Sequence, residues 1–289
     1  MRHARILAAA TYGDVTRRPL YYILLFTFAF AIFGSKFLTL FSFYQEMNMV
    51  REMGMATITF WGFIVVVITS GLIVTQELED RTAVTLLSKP IRRTDFLLGK
   101  FAGLVLALIP GIVVLSGVLF LTLWMMAYPR LPVHDRDLML AGHDGRSPFM
   151  TVWRITWENF ILRQSGVVLE GALLSFFQTA VLAAVAVSFS AFFPTVVSVG
   201  ATTLVFIFGN VSSYMLASVE NLKVGALSSA GRVASYLVPN LGYFNLQMYF
   251  SEGKIISLQY LGLSCAYTAL YVTAVFLVSC SLFQKREVR

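Results

Sequence analysis

Residues 98–127 read LGKFAGLVLALIPGIVVLSGVLFLTLWMMA, and the only charged side chain in this run is Lys100. A helix needs about 20 mostly apolar residues to cross the hydrocarbon core of a bilayer, which is ~30 Å thick. The run is longer than that. We therefore expect a transmembrane helix that tilts or projects from the membrane, with a kink at Pro110.

The whole chain of 289 residues has the same apolar character, with 57% hydrophobic and only 13% charged residues. Soluble domains average about 45–50% apolar and ~25% charged residues, which excludes that class. The sequence predicts an all-α polytopic membrane protein that forms a single domain, 1–289, with six transmembrane helices. The predicted spans are 20–41, 56–75, 98–127, 168–192, 195–217 and 258–283.

The placement of Lys and Arg predicts the orientation of these spans. Basic residues are frequent in an amphipathic N-terminal helix (1–18), in the loop after the second span and in the C-terminal tail. Cytoplasmic loops are enriched in Lys and Arg, so both termini are expected in the cytoplasm. The formal net charge of +7 reflects this placement, and no nucleic-acid binding is expected. The loop 128–167 also carries arginines, interleaved with acidic residues, but is predicted to lie outside.

The loop after the second span contains the most informative pattern, QELEDRTAVTLLSKPIRRTDFLLGKF at 76–101. An acidic cluster precedes a short predicted helix with Val84 and Leu87 on one face, and Pro90 ends that helix. Such a helix, held between two spans, could dock into a groove on a soluble partner and pass its motion to both spans. From the residues alone, an ordinary solvated loop is the alternative.

This loop resembles the signature of ABC-2-type transporter permeases, in which acidic residues and Arg-Thr precede LLS-x-P-x-x-R and LLGK. The chain also resembles the subgroup of multi-copper-enzyme maturation permeases at two further stretches, ILAAATYGDVTRRPLYYILL (6–25) and VPNLGYFNL (238–246). The resemblance covers essentially the whole chain. It implies that a coupling loop, 76–97, contacts an ATPase through Glu77, Glu79, Asp80, Arg81, Thr82, Leu86, Leu87, Ser88, Pro90 and Arg93.

The resemblance also implies an ABC-2 (type V exporter-like) permease fold and a permease homodimer in the cytoplasmic (inner) membrane of a bacterium. Each subunit would bind a cytoplasmic ABC ATP-binding subunit that holds ATP and Mg. By this resemblance the chain is the permease subunit of an exporter and not an enzyme. It has no G-x-x-x-x-G-K-[ST] loop, so ATP is expected on the partner and no cofactor on this chain. The alternative is a membrane scaffold, or mechanotransmission partner of an ATPase, that moves no substrate.

In this family the region between the last two spans, here 218–257, forms short re-entrant helices at the outer end of the pathway. The resemblance therefore implies an outer gate formed by Pro239, Tyr243 and Phe244. An ion-coupled carrier or an intramembrane enzyme would instead need ionisable groups at mid-membrane. Spans two, three, five and six offer none there, so those classes are disfavoured.

Two groups of residues could bind a metal, although ordinary packing or solvated loops explain them as well. The methionines of the first outer loop would line one face of an extended chain, and thioethers favour Cu(I). The histidines of the second outer loop have no recognised ligand spacing. We therefore predict no metal site, with these residues as the only candidates: Met47, Met49, Met53, Met55, His134 and His143.

A ridge of small residues recurs every four positions at the start of the third span: Gly99, Gly103, Ala107 and Gly111. Small residues allow close helix approach inside a membrane, where dispersion replaces the hydrophobic drive. The ridge predicts either tight packing within one bundle or a subunit interface.

Overall fold

The computed structural model describes residues 2–38, 46–71, 93–127, 165–221, 238–245 and 256–285. Apart from short connecting segments, these residues are helical, and no β-strand occurs among them. The elements are α1 (Arg2–Thr16), α2 (Pro19–Leu38), α3 (Glu46–Thr69), α4 (Arg93–Ala127), α5 (Gly166–Phe192), α6 (Thr195–Asn221), a 3₁₀ turn (Leu241–Phe244) and α7 (Leu258–Lys285).

Six of these helices, α2 to α7, are long and apolar enough to cross a membrane. The predicted class, an all-α polytopic membrane protein, is therefore confirmed. Helix α5 is the centre of the bundle, since 78% of its span is buried against 17% for α2 and α7. It packs against α3, α4, α6 and α7. Its small residues Ala180, Ala184 and Ser188 are all buried, which lets these neighbours approach closely.

Helix α3 begins at Glu46, ten residues before the predicted start of the second span at 56. The segment expected to be an outer loop is therefore helical. Its buried side chains Val50 and Met55 explain the extension, because they pack in the hydrophobic core. Gly54 contacts the side chain of Leu119 on α4. Arg51, which lies between the predicted first and second spans, is likewise a buried residue of α3.

Helix α4 also begins earlier than predicted, at Arg93 instead of 98. Its 35 residues span about 52 Å, roughly 22 Å more than the hydrocarbon core needs. Helix α1 lies along this excess and has a matching length of about 22 Å. The N-terminal end of the third span therefore projects beyond the hydrocarbon core, and α1 packs against it. We call this projecting unit, α1 together with the first turns of α4, the stub.

The small-residue ridge is the surface on which the stub is assembled. A Cβ at Gly99 would lie 2.6 Å from the Cβ of Leu7, and one at Gly103 would lie 2.6 Å from the carbonyl oxygen of Ala8. Contacts this short are possible only when the residue is glycine. Two positions of the ridge therefore fix α1 against α4.

The other half of the ridge packs inside the bundle. A Cβ at Gly111 would overlap the ring of Trp61, which is fully buried on α3. The Tyr21 hydroxyl of α2 donates a hydrogen bond to the carbonyl oxygen of Ala107 (2.9 Å). The rings of Tyr21 and Trp61 meet edge to face, with centroids 5.6 Å apart. Helices of the same chain thus occupy the ridge, as the first alternative predicted.

The substitution Gly103→Ala should destabilise the fold, because the added Cβ meets the backbone of α1, which cannot move without separating the helices. We expect a loss of about 1–3 kcal/mol in unfolding free energy. Thermal or denaturant unfolding in detergent, followed by circular dichroism, measures it. Gly117→Ala is the matched control, since a Cβ at Gly117 meets no atom within 4 Å. Equal destabilisation by both variants would contradict the α1–α4 contact.

Candidate functional site

Helices α3, α5 and α6 are held in register by contacts between their middle turns. The Thr59 hydroxyl of α3 donates a hydrogen bond to Ser175 Oγ of α5 (2.9 Å). The rings of Phe63 on α3 and Phe206 on α6 stack, with centroids 4.1 Å apart. These contacts place Thr59 and Ser175 at the same height along the bundle axis, and the middle of α6 lies beside them.

The depth of Thr59 and Ser175 in the membrane follows from the length of α2. Its 20 residues span about 30 Å, which is the thickness of the hydrocarbon core, so its middle lies near the bilayer centre. Phe28, at that middle, has its ring centroid 6.1 Å from that of Phe60 on α3. Thr59 and Ser175 therefore lie near the membrane midplane.

A pair of carboxamides lies at the same depth. Gln178 Nε2 donates a hydrogen bond to Asn210 Oδ1 (3.0 Å), and Asn210 Nδ2 donates to the carbonyl oxygen of Phe206 (2.9 Å). Gln178 is only 3% exposed. Polar side chains in membrane helices commonly pair across helices in this way, because hydrocarbon offers no partner.

These polar groups border a cavity of about 410 Å³ between α3, α5 and α6. A cavity of this size is in the range of small-molecule sites. No ionisable residue is found in the described part of its lining. The polar lining residues are Thr59, Ser175, Gln178, Asn210 and Asn245, and the aromatic ones are Phe60, Phe206 and Phe244.

The cavity is covered at one end by a cap, residues 238–245, which contains the 3₁₀ turn. A Cβ at Gly209 would lie 2.8 Å from the Leu241 side chain and from the Pro239 carbonyl oxygen, so the cap touches α6 one residue before Asn210. The cap thus brings backbone that is not α-helical to the depth of the carboxamide pair. Such backbone is tolerated within a membrane only where it is buried in protein or lines water.

Side chains satisfy the backbone of the cap. The Asn240 side chain accepts a hydrogen bond from the Gly242 N–H (3.1 Å), and the Tyr267 hydroxyl accepts one from the Asn240 N–H (3.1 Å). The Tyr260 hydroxyl donates to the Tyr243 carbonyl oxygen (2.7 Å). Two tyrosines of α7 therefore hold the cap in place.

A carboxylate anchors the segment that leads into α7. Glu170 Oε2, near the start of α5, accepts a hydrogen bond from the Ile256 N–H (2.8 Å). Glu170 is the third residue of the predicted fourth span, 168–192. This bond gives the carboxylate a structural role there.

The three residues predicted to form an outer gate lie in the cap. Pro239 and Phe244 are buried, whereas Tyr243 is 57% exposed. Phe244 borders the cavity, and its ring centroid is 5.9 Å from that of Tyr267. Gating by these residues stays a prediction.

Of the predicted coupling residues, only Arg93 lies within the described part of the chain, as the first residue of α4. The remaining members, from Glu77 to Pro90, lie outside the described residues, as do His134 and His143.

The four candidate methionines are not brought together as an extended chain would bring them. Helix α3 buries Met55 and leaves Met49 and Met53 exposed, with Met47 partly buried. The shared thioether face, which an extended chain would have formed, is therefore absent from this helix. Among the described residues, no cluster of His, Cys, Asp or Glu could hold a metal.

Sequence reasoning missed the carboxamide pair, although a signal for it exists. Gln178 is the only glutamine in 168–192, and Asn210 is the only asparagine in 195–217. An amide inside an apolar span predicts an interhelical hydrogen bond, but the partner depends on the register of two antiparallel helices.

Replacing Tyr267 with Phe should loosen the cap, because the Asn240 N–H loses an acceptor. Loss of such a part-buried hydrogen bond costs about 1 kcal/mol, so hydrogen exchange in 238–245 should be accelerated about fivefold. Hydrogen-exchange mass spectrometry of that peptide provides the measurement. Tyr22→Phe, which removes an exposed hydroxyl of α2, is the control. Unchanged exchange in the Tyr267 variant would contradict the assigned bond.

The chain belongs to the family described as "Protein of unknown function (DUF2705)", whose model matches residues 9–289. The match extends from α1 through every described helix to the C-terminal residue. No curated protein matches the chain. Inferences about function therefore depend on the site and on the sequence of the coupling loop.

Proposed function

We propose that this chain is the permease subunit of an ABC-2-type transporter, which exports a substrate with energy from a separate ATP-binding subunit. The observation that carries the proposal is the polar cavity at mid-membrane depth beneath the cap, whose backbone is not α-helical. Buried polar groups and non-helical backbone are costly inside a bilayer. A protein that only anchors another has no need of them, which favours transport over the scaffold alternative.

The residues that line the cavity indicate which source of energy could drive transport. Ion- and proton-coupled carriers use ionisable residues along the pathway, and the described lining has none. The sequence also has no phosphate-binding loop of its own. Energy from ATP and Mg bound to a partner chain is consistent with both observations.

The stub supplies a mechanical link for such a partner. The predicted coupling loop continues directly into α4 at Arg93, and the glycines Gly99 and Gly103 clamp α1 to the same part of α4. Force on the loop would therefore act on α1 and α4 together. In this proposal the acidic cluster of the loop braces it, and Leu86, Leu87 and Pro90 fill a groove on the ATPase.

Charge at the stub supports its assignment to the cytoplasmic side. Arg5, Arg17 and Arg18 are exposed there, and cytoplasmic ends of spans are enriched in such residues. The cap, at the opposite half of the bundle, would then face outward. We assign the protein to the bacterial inner membrane, as a homodimer with one ATP-binding subunit per chain.

The test is to place a charge on the apolar face of the coupling helix. Leu87→Asp should reduce the ATPase activity that co-purifies with the tagged chain by at least about tenfold, because a buried, unpaired carboxylate in an interface costs several kcal/mol. ATP hydrolysis per permease, measured after purification from the native membrane, is the readout. Thr85→Asp adds the same charge outside the Val84–Leu87 face and should retain most of the activity.

Two outcomes would contradict the proposal. One is a tagged chain that retains no ATPase under conditions in which it is correctly folded. The other is a Leu87→Asp variant whose associated ATPase equals that of the unaltered chain.

A further inference from the structure

The polar cavity opens sideways, between α3 and α6, toward the surface that would face lipid. Its rim includes Ala56 and Phe60 of α3 and Ile207 and Val211 of α6, and all four are exposed. The opening therefore lies near the membrane midplane. A molecule dissolved in the bilayer can reach the polar floor without first passing through water.

The floor of the cavity has unused hydrogen-bonding capacity. A glutamine side chain offers two N–H donors and a carbonyl oxygen. Within the described part of the chain, Gln178 makes one hydrogen bond, to Asn210, which leaves one N–H and the carbonyl oxygen. Since Gln178 is almost fully buried and borders the cavity, a bound molecule is the natural partner for these groups.

The same walls disfavour a charged guest. The described lining contains carboxamides, hydroxyls and aromatic rings but no side chain that could neutralise a phosphate or an ammonium group. An unpaired ion in such a low-dielectric site is far costlier than a neutral hydroxyl or ester. The described lining therefore favours an uncharged guest.

We propose that this cavity binds a neutral lipid, with hydroxyl or ester groups on the Gln178–Asn210 pair and acyl chains leaving through the α3–α6 opening. Diacylglycerol represents this class. As a statement about the transported substrate, the inference rests on the proposed function. As a statement about binding, it needs neither ATP nor a partner.

The test uses the full-length chain in phosphatidylcholine nanodiscs with a photoactivatable diacylglycerol. Phosphatidic acid with the same acyl chains and photoactivatable group is the matched probe, because it differs by the charged phosphate alone. We expect diacylglycerol to label peptides of α3, α5 and α6 around the cavity, and phosphatidic acid to label them at least about tenfold less.

Two pairs of variants locate the site. Gln178→Leu should reduce diacylglycerol labelling about tenfold, whereas Thr202→Val, which removes a buried hydroxyl of α6 away from the cavity, should not. Val211→Trp should block the opening without touching the floor. Leu270→Trp, at an exposed position of α7, is its control. Thermal unfolding confirms that each variant is folded.

Three results would overturn the inference: equal labelling of the cavity by both probes, labelling unaffected by both Gln178→Leu and Val211→Trp, or labelling confined to other peptides. Closure of the opening by a second copy would also overturn it, and would appear as Val211→Cys disulfide dimers without labelling. Each of these results leaves ATPase coupling unaffected. Loss of ATPase coupling with intact labelling would contradict only the proposed function.

Discussion

Hydrogen bonding of the backbone inside a bilayer is the constraint on which the whole structure depends. The membrane-spanning helices satisfy it internally, but the cap at 238–245 cannot. Its groups are satisfied partly by side chains, by that of Asn240 within the cap and by the hydroxyl of Tyr267 on α7. The position of α7 is therefore linked to the cap, and the cap in turn to Gly209 on α6. The glycine matters here because any side chain would push the cap away from the cavity.

Most of the fold could be predicted because each span is recognisable by itself. In a chain of this composition, a long apolar run predicts a membrane-spanning helix without information from the other helices. The ends of the spans were harder to predict. Residues 46–55 are polar enough to suggest a loop, yet α3 includes them because Val50, Gly54 and Met55 pack against the rest of the bundle. That contact depends on tertiary structure and leaves no local signal. It also places the methionines on different sides of a helix.

The candidate site was only partly predictable, for a similar reason. Family resemblance pointed to the cap, and Phe244 does border the cavity. The floor of the cavity was not found, because Gln178 and Asn210 meet across the turn at Pro194. Their pairing requires α5 and α6 to be antiparallel with one particular register. Sequence patterns locate single helices well, but the register between helices comes from packing.

The proposed division of labour between stub and cavity needs a physical connection, and α3 provides it. Gly111 of α4 meets the ring of Trp61, which lies two residues from Thr59 at the cavity. Trp61 is fully buried and also contacts Tyr21 of α2, so its ring cannot turn aside when α4 moves. Close-packed interiors transmit strain instead of absorbing it. In the proposed transporter, displacement of α4 at the stub would therefore shift α3 and change the shape of the cavity, although no residue of α1 reaches it.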